Sequence, residues 1–499
     1  MQITNVNSNN YLKSKRQSFK SLPESFLKMQ ENLSYTRFAQ DTITNWVPKA
    51  VFTRSKEDLS EMSFLEFIES ALFYFAPTIL GGVLGGLIFP KFAAKLAGKA
   101  KTPANEIIKL QLKRGLAQNS NELTNNKFLS KSLSTLSDIV PKKEVIKNGV
   151  KKVIVKNRHQ NLEKRVKELL GNKKAVSEAG KFLNDANLPK RLLPVKAAIV
   201  LGCVGIPAAE YALSFAKNLF TLKVFKKADF NNVVNLNKEH NEDKAFQDKV
   251  EKSAKSHIKK AAIVSAAALG IGLLFAAIGP KSKGIQKASE FILSPGEKAS
   301  NGLKKLGVKA NSGIHDFLKT YLNFDFDFSG GKWGLSKGQL AATVISGVFG
   351  YHKAAKDRGR LDELEMLSRV PLVAFYTIFG SSIFEKAFKS ILYKNNIFPD
   401  LIKKNSDIKS GVKGFIQIPK LSELKLKPNG KKLIKQSAIV QAVPFIFSMA
   451  FMGFLLSGIN RFWTQKRYDK THGQPKNLQE VYACFIKTKN NCRVFKSFN

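Results

Sequence analysis

The sequence predicts an all-α, polytopic membrane protein with about four to six membrane helices, two of them candidates for re-entrant segments, and basic amphipathic helical loops. Three observations predict this fold. Six stretches are apolar and almost free of charge, at residues 70–90, 197–216, 261–280, 338–352, 370–384 and 436–460. The chain as a whole carries a formal net charge of +44 and has a mean hydropathy of −0.17, so its apolar residues are segregated rather than unusually abundant. The first, third and sixth stretches are long enough to cross a bilayer, since about 20 apolar helical residues span ~30 Å of hydrocarbon.

Lysine supplies the excess of positive charge. Only 13 of the 82 basic residues are Arg, and Asp and Glu together number 38. Lysine carries a compact, hydrated charge that suits diffuse attraction to anionic lipid headgroups better than bidentate recognition of phosphates or bases. A coding bias toward Lys, Asn, Phe and Ile explains the same excess without any function. The composition leaves both explanations open.

The alternation of apolar and polar stretches divides the chain into nine segments. These are a disordered polar N-terminal tail (1–60), the first membrane segment (61–96), a basic helical loop (97–196), membrane segments two and three with a basic helical connection (197–280), an amphipathic loop (281–337), membrane segments four and five (338–395), a basic loop (396–435), membrane segment six (436–463) and a basic C-terminal tail (464–499). The N-terminal tail begins rich in Asn, Ser and Lys and has little to bury there, which predicts disorder.

Four glycines lie inside the first membrane segment. Gly81, Gly82, Gly85 and Gly86 form two overlapping small-xxx-small pairs. Such pairs allow helix backbones to approach closely in lipid, so we expect them to mediate helix packing. The alternative is that this glycine-rich sequence breaks the helix after Pro77.

The basic loop 97–196 contains two predicted helices. Thr102 followed by Pro103 is typical of a helix start. A second helix is expected over residues 142–170, where apolar residues mostly recur at helical spacing among many lysines. A basic amphipathic helix lies on an anionic membrane surface or binds an acidic partner. The same pattern also fits the solvated face of an ordinary helical domain.

The second apolar stretch contains Pro207 and Glu210, the candidate binding residues. Glu210 is the only acid within the middle of any of the six stretches. A charge near the middle of a membrane is costly and usually faces a partner, a cavity or a transport pathway, and a nearby proline can free backbone carbonyls. Alternatively, the span ends near Pro207 and leaves Glu210 at the interface beside Lys217.

The fourth and fifth stretches are marginal spans. Each has only 15 uncharged residues, or ~22 Å as a helix. They cross only if flanking residues extend them, or they form a re-entrant pair. Lys and Arg are almost equally frequent on the two sides of a six-span topology, so only the first span predicts an orientation, with the N-terminus outside. We expect a multi-pass protein of a cytoplasmic or inner membrane.

No catalytic or metal-binding motif is present. The sequence lacks a P-loop, H-E-x-x-H, G-x-S-x-G and C-x-x-C, and its six histidines have no ligand spacing. Cys203, Cys484 and Cys492 do not form a metal or disulfide framework. Asp325 and Asp327 are close in sequence, but two isolated loop carboxylates seldom bind a cation. We therefore predict no catalytic residues, no metal and no cofactor, and a protein that is not an enzyme.

The predicted function is structural. We expect an integral membrane protein whose lysine-rich loops contact anionic lipid of the bilayer or acidic partners, including other membrane proteins. The alternative is a transporter or channel that uses Glu210 and helices interrupted by Pro and Gly. Nucleic acid is not expected as a partner, because no basic motif interleaved with aromatic residues supports it.

Overall fold

A computed structural model gives the structure of the chain. It describes residues 22–31, 42–118, 142–147, 150–155, 160–237, 242–309, 313–326, 333–404 and 415–472, together with residues 38, 120, 123 and 140. These residues are overwhelmingly helical, which confirms the predicted helical fold apart from one β-hairpin. Asp327, Cys484 and Cys492 lie outside the described residues.

The N-terminal half contains many short helices. They are α1 (Leu22–Glu31), α2 (Val47–Val51), α3 (Lys56–Tyr74), α4 (Ala76–Val83), α5 (Phe89–Ala94), α6 (Pro103–Ala117), α7 (Gln160–Gly171), α8 (Lys173–Leu183), α9 (Leu188–Gly202), α10 (Gly205–Phe225) and α11 (Phe230–Val233). The π-helical turn Leu84–Ile88 and the 3-10 turn Lys95–Ala97 make α4 and α5 parts of one helical segment, Ala76–Ala97. The helix therefore does not break after Pro77.

The C-terminal half contains the longest helix. Its elements are α12 (Lys244–Ile278), α13 (Lys283–Leu293), α14 (Pro295–Lys305), α15 (Gly313–Leu322), α16 (Lys337–Arg358), α17 (Arg360–Phe375), α18 (Ser381–Lys394), α19 (Leu421–Leu426), α20 (Gly430–Ser448) and α21 (Leu456–His472). π-helical turns follow α17 at Tyr376–Gly380 and join α20 to α21 at Met449–Leu455.

Side-chain caps fix several helix starts. Thr102 accepts a hydrogen bond from the backbone N of Asn105, with Pro103 at the first helical position, so the predicted start of α6 is confirmed. Ser336 and Gln339 form a capping box at the start of α16. Asp243 caps α12 through the backbone N of Ala245. These caps satisfy backbone N–H groups that have no partner within the helix.

The expected helix over 142–170 is wrong in its first part. Residues Lys142–Lys147 (β1) and Val150–Val155 (β2) form an antiparallel hairpin, and the helix α7 begins only at Gln160. The strands are rich in Val and Ile, which favour extended backbone, and Asn148-Gly149, between them in sequence, is a dipeptide typical of tight hairpin turns. The helical spacing of apolar residues was ambiguous over so short a segment.

The predicted disordered tail, residues 1–60, is helical in part. Residues 22–31 and 47–51 are α-helical, and α3 begins at Lys56. Leu27 is buried in a small core with residues of α18, α19 and α20, so α1 gains apolar contacts that the local sequence does not reveal.

Four helical segments in the described part of the chain are long and apolar enough to cross a membrane. They are Ala76–Ala97, Leu188–Phe225, Lys244–Lys281 and Gly430–Thr471. A fifth candidate is the pair Arg360–Gly380 and Ser382–Lys394, which is bent by 51°. The fourth apolar stretch lies in α16, which is not among these candidates because charged and polar residues occupy both its ends.

The segment Leu188–Phe225 and the helix α12 lie side by side and antiparallel. The backbone of Ala198 touches Gly272, and Tyr211 Oη is 2.7 Å from His257 Nδ1. Near the other end of α10, Lys223 Nζ is 2.7 Å from Glu251 Oε1. These three contacts therefore fix which residues of the segment Leu188–Phe225 lie beside which residues of α12.

The largest hydrophobic core lies at one end of the bundle, around α9. Apolar faces of α6, α7 and α8 pack there, including Ile107, Leu112, Val166, Leu169 and Leu183. The basic loop 97–196 is thus, where described, part of a packed helical domain. The apolar faces of its helices are not available to insert into a membrane surface.

Candidate functional site

Pro207 lies in the first turn of α10. A proline is tolerated there because the backbone N–H at this position would have no partner within the helix. Its carbonyl oxygen accepts a hydrogen bond from Ser346 Oγ of α16 at 2.7 Å. The interruption in the segment lies four residues earlier, at the turn of Cys203 and Val204 between α9 and α10. Pro207 thus takes part in a contact between α10 and α16 and does not break α10.

Glu210 is buried between α10 and α16, with 1% of its surface exposed. A Cβ atom at Gly347 would lie 2.7 Å from Oε1 of Glu210, so a larger residue at position 347 would require this carboxyl group to move. Oε2 of Glu210 has no hydrogen-bond partner among the described residues. The carboxyl groups of Glu66 and Glu69 and the phenol of Tyr351 act on it electrostatically.

The height of Glu210 along the bundle follows from its neighbour. The contact between Tyr211 and His257 places Glu210 beside the turn of α12 that contains Lys259 and Lys260. Apolar residues of α12 begin immediately afterwards, at Ala261. Glu210 therefore lies at the edge of the apolar part of α12 and not at its centre.

Buried and half-buried charges form a layer on the polar side of that edge. We call this set the charged layer; it comprises Lys49, Arg54, Asp58, Glu61, Glu66, Lys217, Arg358, Glu365, Arg369 and Arg461. Its members come from α2, α3, α10, α16, α17 and α21 and from the connection before α3. Elements far apart in sequence are joined by these ion pairs.

Glu61 of α3 is the centre of the charged layer. Its Oε1 lies 2.7 Å from Nη1 of Arg358 and 2.8 Å from Nζ of Lys217, and its Oε2 accepts a hydrogen bond from Thr221. Burial raises the pKa of Glu61, but attraction to Arg358 and Lys217 outweighs burial and lowers that pKa to about 2. Arg358, with 1% of its surface exposed, also donates to Asn218.

A second group of pairs joins the two ends of the chain. Arg461 of α21 lies 2.6 Å from Glu365 and 3.1 Å from Asp58. Arg54 lies 3.1 Å from the other oxygen of Glu365, and its backbone N donates to Asp58. Each carboxylate is shared between two arginines or bound by side chain and backbone together, which is the geometry of a structural ion-pair network.

Glu66 and Glu69 extend the layer toward Glu210. Lys49 Nζ bonds directly to Glu66, and Arg369 lies 3.9 Å from the same oxygen. Tyr351 Oη donates to Glu69 at 3.1 Å. Glu210 is thus a buried acid with one oxygen that has no hydrogen-bond partner among the described residues, and it lies next to a network in which some guanidinium nitrogens of Arg54, Arg358 and Arg369 also have none.

Sequence reasoning did not find the charged layer. No role was predicted for the acids of residues 57–69, which precede the first apolar stretch. Their spacing held a stronger signal, because Asp58, Glu61, Glu66 and Glu69 lie on one face of a helix. Arginine held another: Arg54, Arg358, Arg369 and Arg461 are four of only 13 in a chain dominated by lysine.

Exposed apolar side chains cover stretches of several helices, in part on the outer faces of the helices that carry the charged layer. We call these the apolar belt, and they fall within residues 79–88, 263–278, 345–349, 367–391 and 439–463. Leu84 and Leu269 both approach Gly202, so the belt residues of α4 to α5 and of α12 lie at the same height. The rings of Tyr376 and Phe451 lie 6.2 Å apart, so the belt residues that follow α17 lie beside those that precede α21.

The four predicted packing glycines face two directions. A Cβ atom at Gly81 would lie 2.7 Å from Cβ of Trp333, and Gly85 faces the same indole ring. Trp333 belongs to the segment before α16 and not to a helix. Among the described residues outside their own helical turns, Gly82 and Gly86 have no atom within 4 Å of their Cβ positions. The predicted helix–helix contact stays a prediction for Gly82 and Gly86, whose face is open.

No group of His, Cys, Asp or Glu within the described ranges is arranged to hold a metal ion. Asp325, considered above as a cation ligand, is 2.9 Å from Lys196 Nζ and accepts a hydrogen bond from the backbone N of Ser120. Its charge is therefore neutralised within the protein. Cys203 is buried and makes no disulfide.

Comparison with known proteins gives no relative. No family model matches the chain, and no curated protein or solved structure is similar to it. The function must therefore be argued from the geometry.

Proposed function

We propose that the chain is a multi-pass membrane protein with a structural or interaction role, whose apolar belt lies in a bilayer and whose lysines at the edge of the belt contact anionic lipid. The apolar belt carries this proposal. Soluble proteins rarely expose a continuous apolar surface that extends over several helices, because water makes such a surface associate. Hydrocarbon around the belt removes that cost.

The helix α12 supports the position of the bilayer edge. Its first half exposes Lys249, Lys252, Lys259 and Lys260, whereas its second half exposes Ile263, Val264, Ile271, Leu274 and Ile278. The change occurs within one turn. A lysine at that edge lies at the height of lipid headgroups, where each cation near an anionic surface contributes about 1 kcal/mol.

Matched double variants on α12 test the lipid contact. Lys259→Gln with Lys260→Gln removes two charges at the belt edge, and Lys249→Gln with Lys252→Gln removes two charges two to three turns farther away. We expect the first variant to lower the preference of the reconstituted protein for phosphatidylglycerol over phosphatidylcholine by about tenfold, and the second to lower it much less, because screening weakens distant charges. Equal effects of the two variants would argue against headgroup contact at this edge.

The bilayer itself is tested by extraction of the full chain. The protein should stay with the membrane pellet at alkaline pH and dissolve only in detergent. Recovery in the aqueous fraction without detergent would refute the proposed membrane location. The prediction of a cytoplasmic or inner membrane is a separate one, checked by fractionation of the membranes.

A second candidate function is transport of a proton or cation, and the buried, incompletely bonded Glu210 favours it. A carboxyl group in such a place usually binds a proton or ion along a pathway. Glu210→Gln should then abolish flux in proteoliposomes, whereas Glu57→Gln, in the first turn of α3 where Glu57 pairs with Lys227, should leave flux unchanged. Absence of proton and cation flux through the wild-type protein would refute this second candidate function.

A further inference from the structure

Glu69 of α3 and Glu210 of α10 approach the same face of α16. A Cβ atom at Gly347 would lie 2.7 Å from Oε1 of Glu210, and Tyr351 donates a hydrogen bond to Oε2 of Glu69 at 3.1 Å. Gly347 and Tyr351 are four residues apart on one helix, so they share a face and lie about 6 Å apart along its axis. The two carboxyl groups therefore lie within about one helical turn of each other along α16.

The surroundings of the two carboxyl groups differ. Glu69 is half-buried, accepts the hydrogen bond from Tyr351 and is attracted to Lys49 of α2. Glu210 is buried, its Oε2 has no hydrogen-bond partner among the described residues, and no Lys, Arg or His of those residues forms an ion pair with it. The charges of Glu69 and Glu66 repel a negative charge on Glu210. The surroundings therefore favour ionised Glu69 and disfavour ionised Glu210.

The basic groups on the neighbouring helices have other partners. Lys49 bonds to Glu66, and Arg369 of α17 lies 3.9 Å from the same carboxylate. On α12, a ring nitrogen of His257 bonds to the phenol of the residue that follows Glu210. None of these three bases pairs with Glu210 itself.

A proton is the simplest way to remove the negative charge of Glu210. A carboxylate buried without a counter-charge costs several kcal/mol, whereas the protonated group is neutral. Two carboxyl groups that lie close together also favour the binding of one proton, because their charges repel each other. A metal cation requires several oxygen ligands, and no group of acids and histidines in the described part of the chain is arranged to hold one.

We propose that Glu69 and Glu210 form a pair that binds one proton, which Glu210 carries in the folded protein at neutral pH while Glu69 stays ionised. The inference rests on the proposed role of Glu210 in the second candidate function and deepens it, because it names the bound ion as a proton. Tyr351 is a positioning residue in this pair, since its hydrogen bond stabilises the charge on Glu69.

The test is infrared spectroscopy of the full chain in detergent, which distinguishes protonated from ionised carboxyl groups by their C=O stretching bands. At about pH 7 ordinary Asp and Glu side chains are ionised. The wild-type protein should nevertheless show a protonated carboxyl band, and Glu210→Gln should remove it. The matched control is Glu57→Gln, which removes a carboxylate that pairs with Lys227, and the band should stay unchanged.

Two further variants test the partner of Glu210 and do not depend on substitution of Glu210 itself. Glu69→Gln removes a repelling charge, so the midpoint at which the band disappears should fall by about one pH unit, a tenfold loss of proton affinity. Tyr351→Phe makes ionised Glu69 less stable, so the midpoint should rise. Shifts in opposite directions cannot come from a general loss of structure, and circular dichroism checks that each variant is folded.

A protonated band that survives in Glu210→Gln, or that is lost equally in Glu57→Gln, would overturn the proton site. An unchanged midpoint in Glu69→Gln would overturn the pair. A band that disappears when sodium or potassium replaces a bulky organic cation, at constant pH and ionic strength, would assign the site to a metal cation instead.

Proton flux in proteoliposomes is measured separately on the same preparations. A protonated Glu210 without flux supports the proton site and refutes only transport. Flux without a protonated band at Glu210 refutes only the proton site.

Discussion

The charged layer and the apolar belt are built by neighbouring parts of the same helices, yet they are organised in opposite ways. In the charged layer the polar groups lie inside, where Glu61 and Arg358 meet between helices. In the belt the large apolar groups lie outside, and in the second half of α12 the buried positions include Gly272 and Ala276. The difference is the one expected if water surrounds the charged layer and hydrocarbon surrounds the belt, as proposed above.

The physical reason is the reference state of each surface. In contact with water, exposed lysines cost nothing and buried ion pairs must be matched with good geometry. In contact with hydrocarbon, exposed Ile and Leu cost nothing, and helices associate through small residues and close packing. Along α12, the exposed side chains change from lysines to apolar residues at Lys260 and Ala261.

The largest expected effect comes from breaking the centre of the charged layer. Arg358→Ala leaves Glu61 and Asp362 with a buried charge that has lost a partner, so we expect the free energy of unfolding to fall by about 3–5 kcal/mol. Arg360→Ala, two residues away, removes an exposed arginine paired with Glu363 and should cost at most about 1 kcal/mol. Unfolding in detergent, followed by circular dichroism, measures both. Similar losses would mean that the layer is not a buried network.

The free energy of unfolding of the wild-type protein, measured as a function of pH, tests the same layer without a substitution. The pKa of Glu61 is about 2 in the folded protein against an ordinary value of 4.5, so the unfolded chain binds more protons between these values. The stabilisation is complete above about pH 4.5 and is lost as the pH falls toward 2, with a total of about 3 kcal/mol. Glu61→Gln should flatten this part of the stability curve. An unchanged slope in that variant would assign the acid sensitivity to other groups.

The smallest expected effect is the difference in stability between substitutions at two adjacent glycines of the segment Ala76–Ala97. Gly81→Ala places a methyl group against Trp333 and should cost about 1–3 kcal/mol, because the indole must move. Gly82→Ala points into open space and should stabilise the helix by about 0.5–1 kcal/mol. Thermal unfolding of the two variants measures the difference. A loss in Gly82→Ala of the size expected for Gly81→Ala would show that the open face is covered, as the predicted helix–helix contact requires.

Much of the helical architecture was predictable because long apolar stretches and capping residues are local signals. The start of α6 at Thr102 and Pro103 followed from two adjacent residues. The hairpin at 142–155 was not predicted, since the same Val and Ile residues fit helical spacing and strand alternation. The candidate site was predictable only in part: Glu210 stood out as an acid in an apolar stretch, but its height beside Lys260 depended on the pairing of α10 with α12.

The sequence by itself determined which segments are apolar, where several helices begin, and that positive charge far exceeds negative charge. Tertiary structure alone decided which charges meet. Glu61 and Arg358 form a hydrogen bond although they are 297 residues apart in the sequence. No local pattern specifies such a partner. The reason is that helix periodicity is fixed by neighbours three and four residues apart, whereas an ion pair between helices depends on how the whole bundle packs.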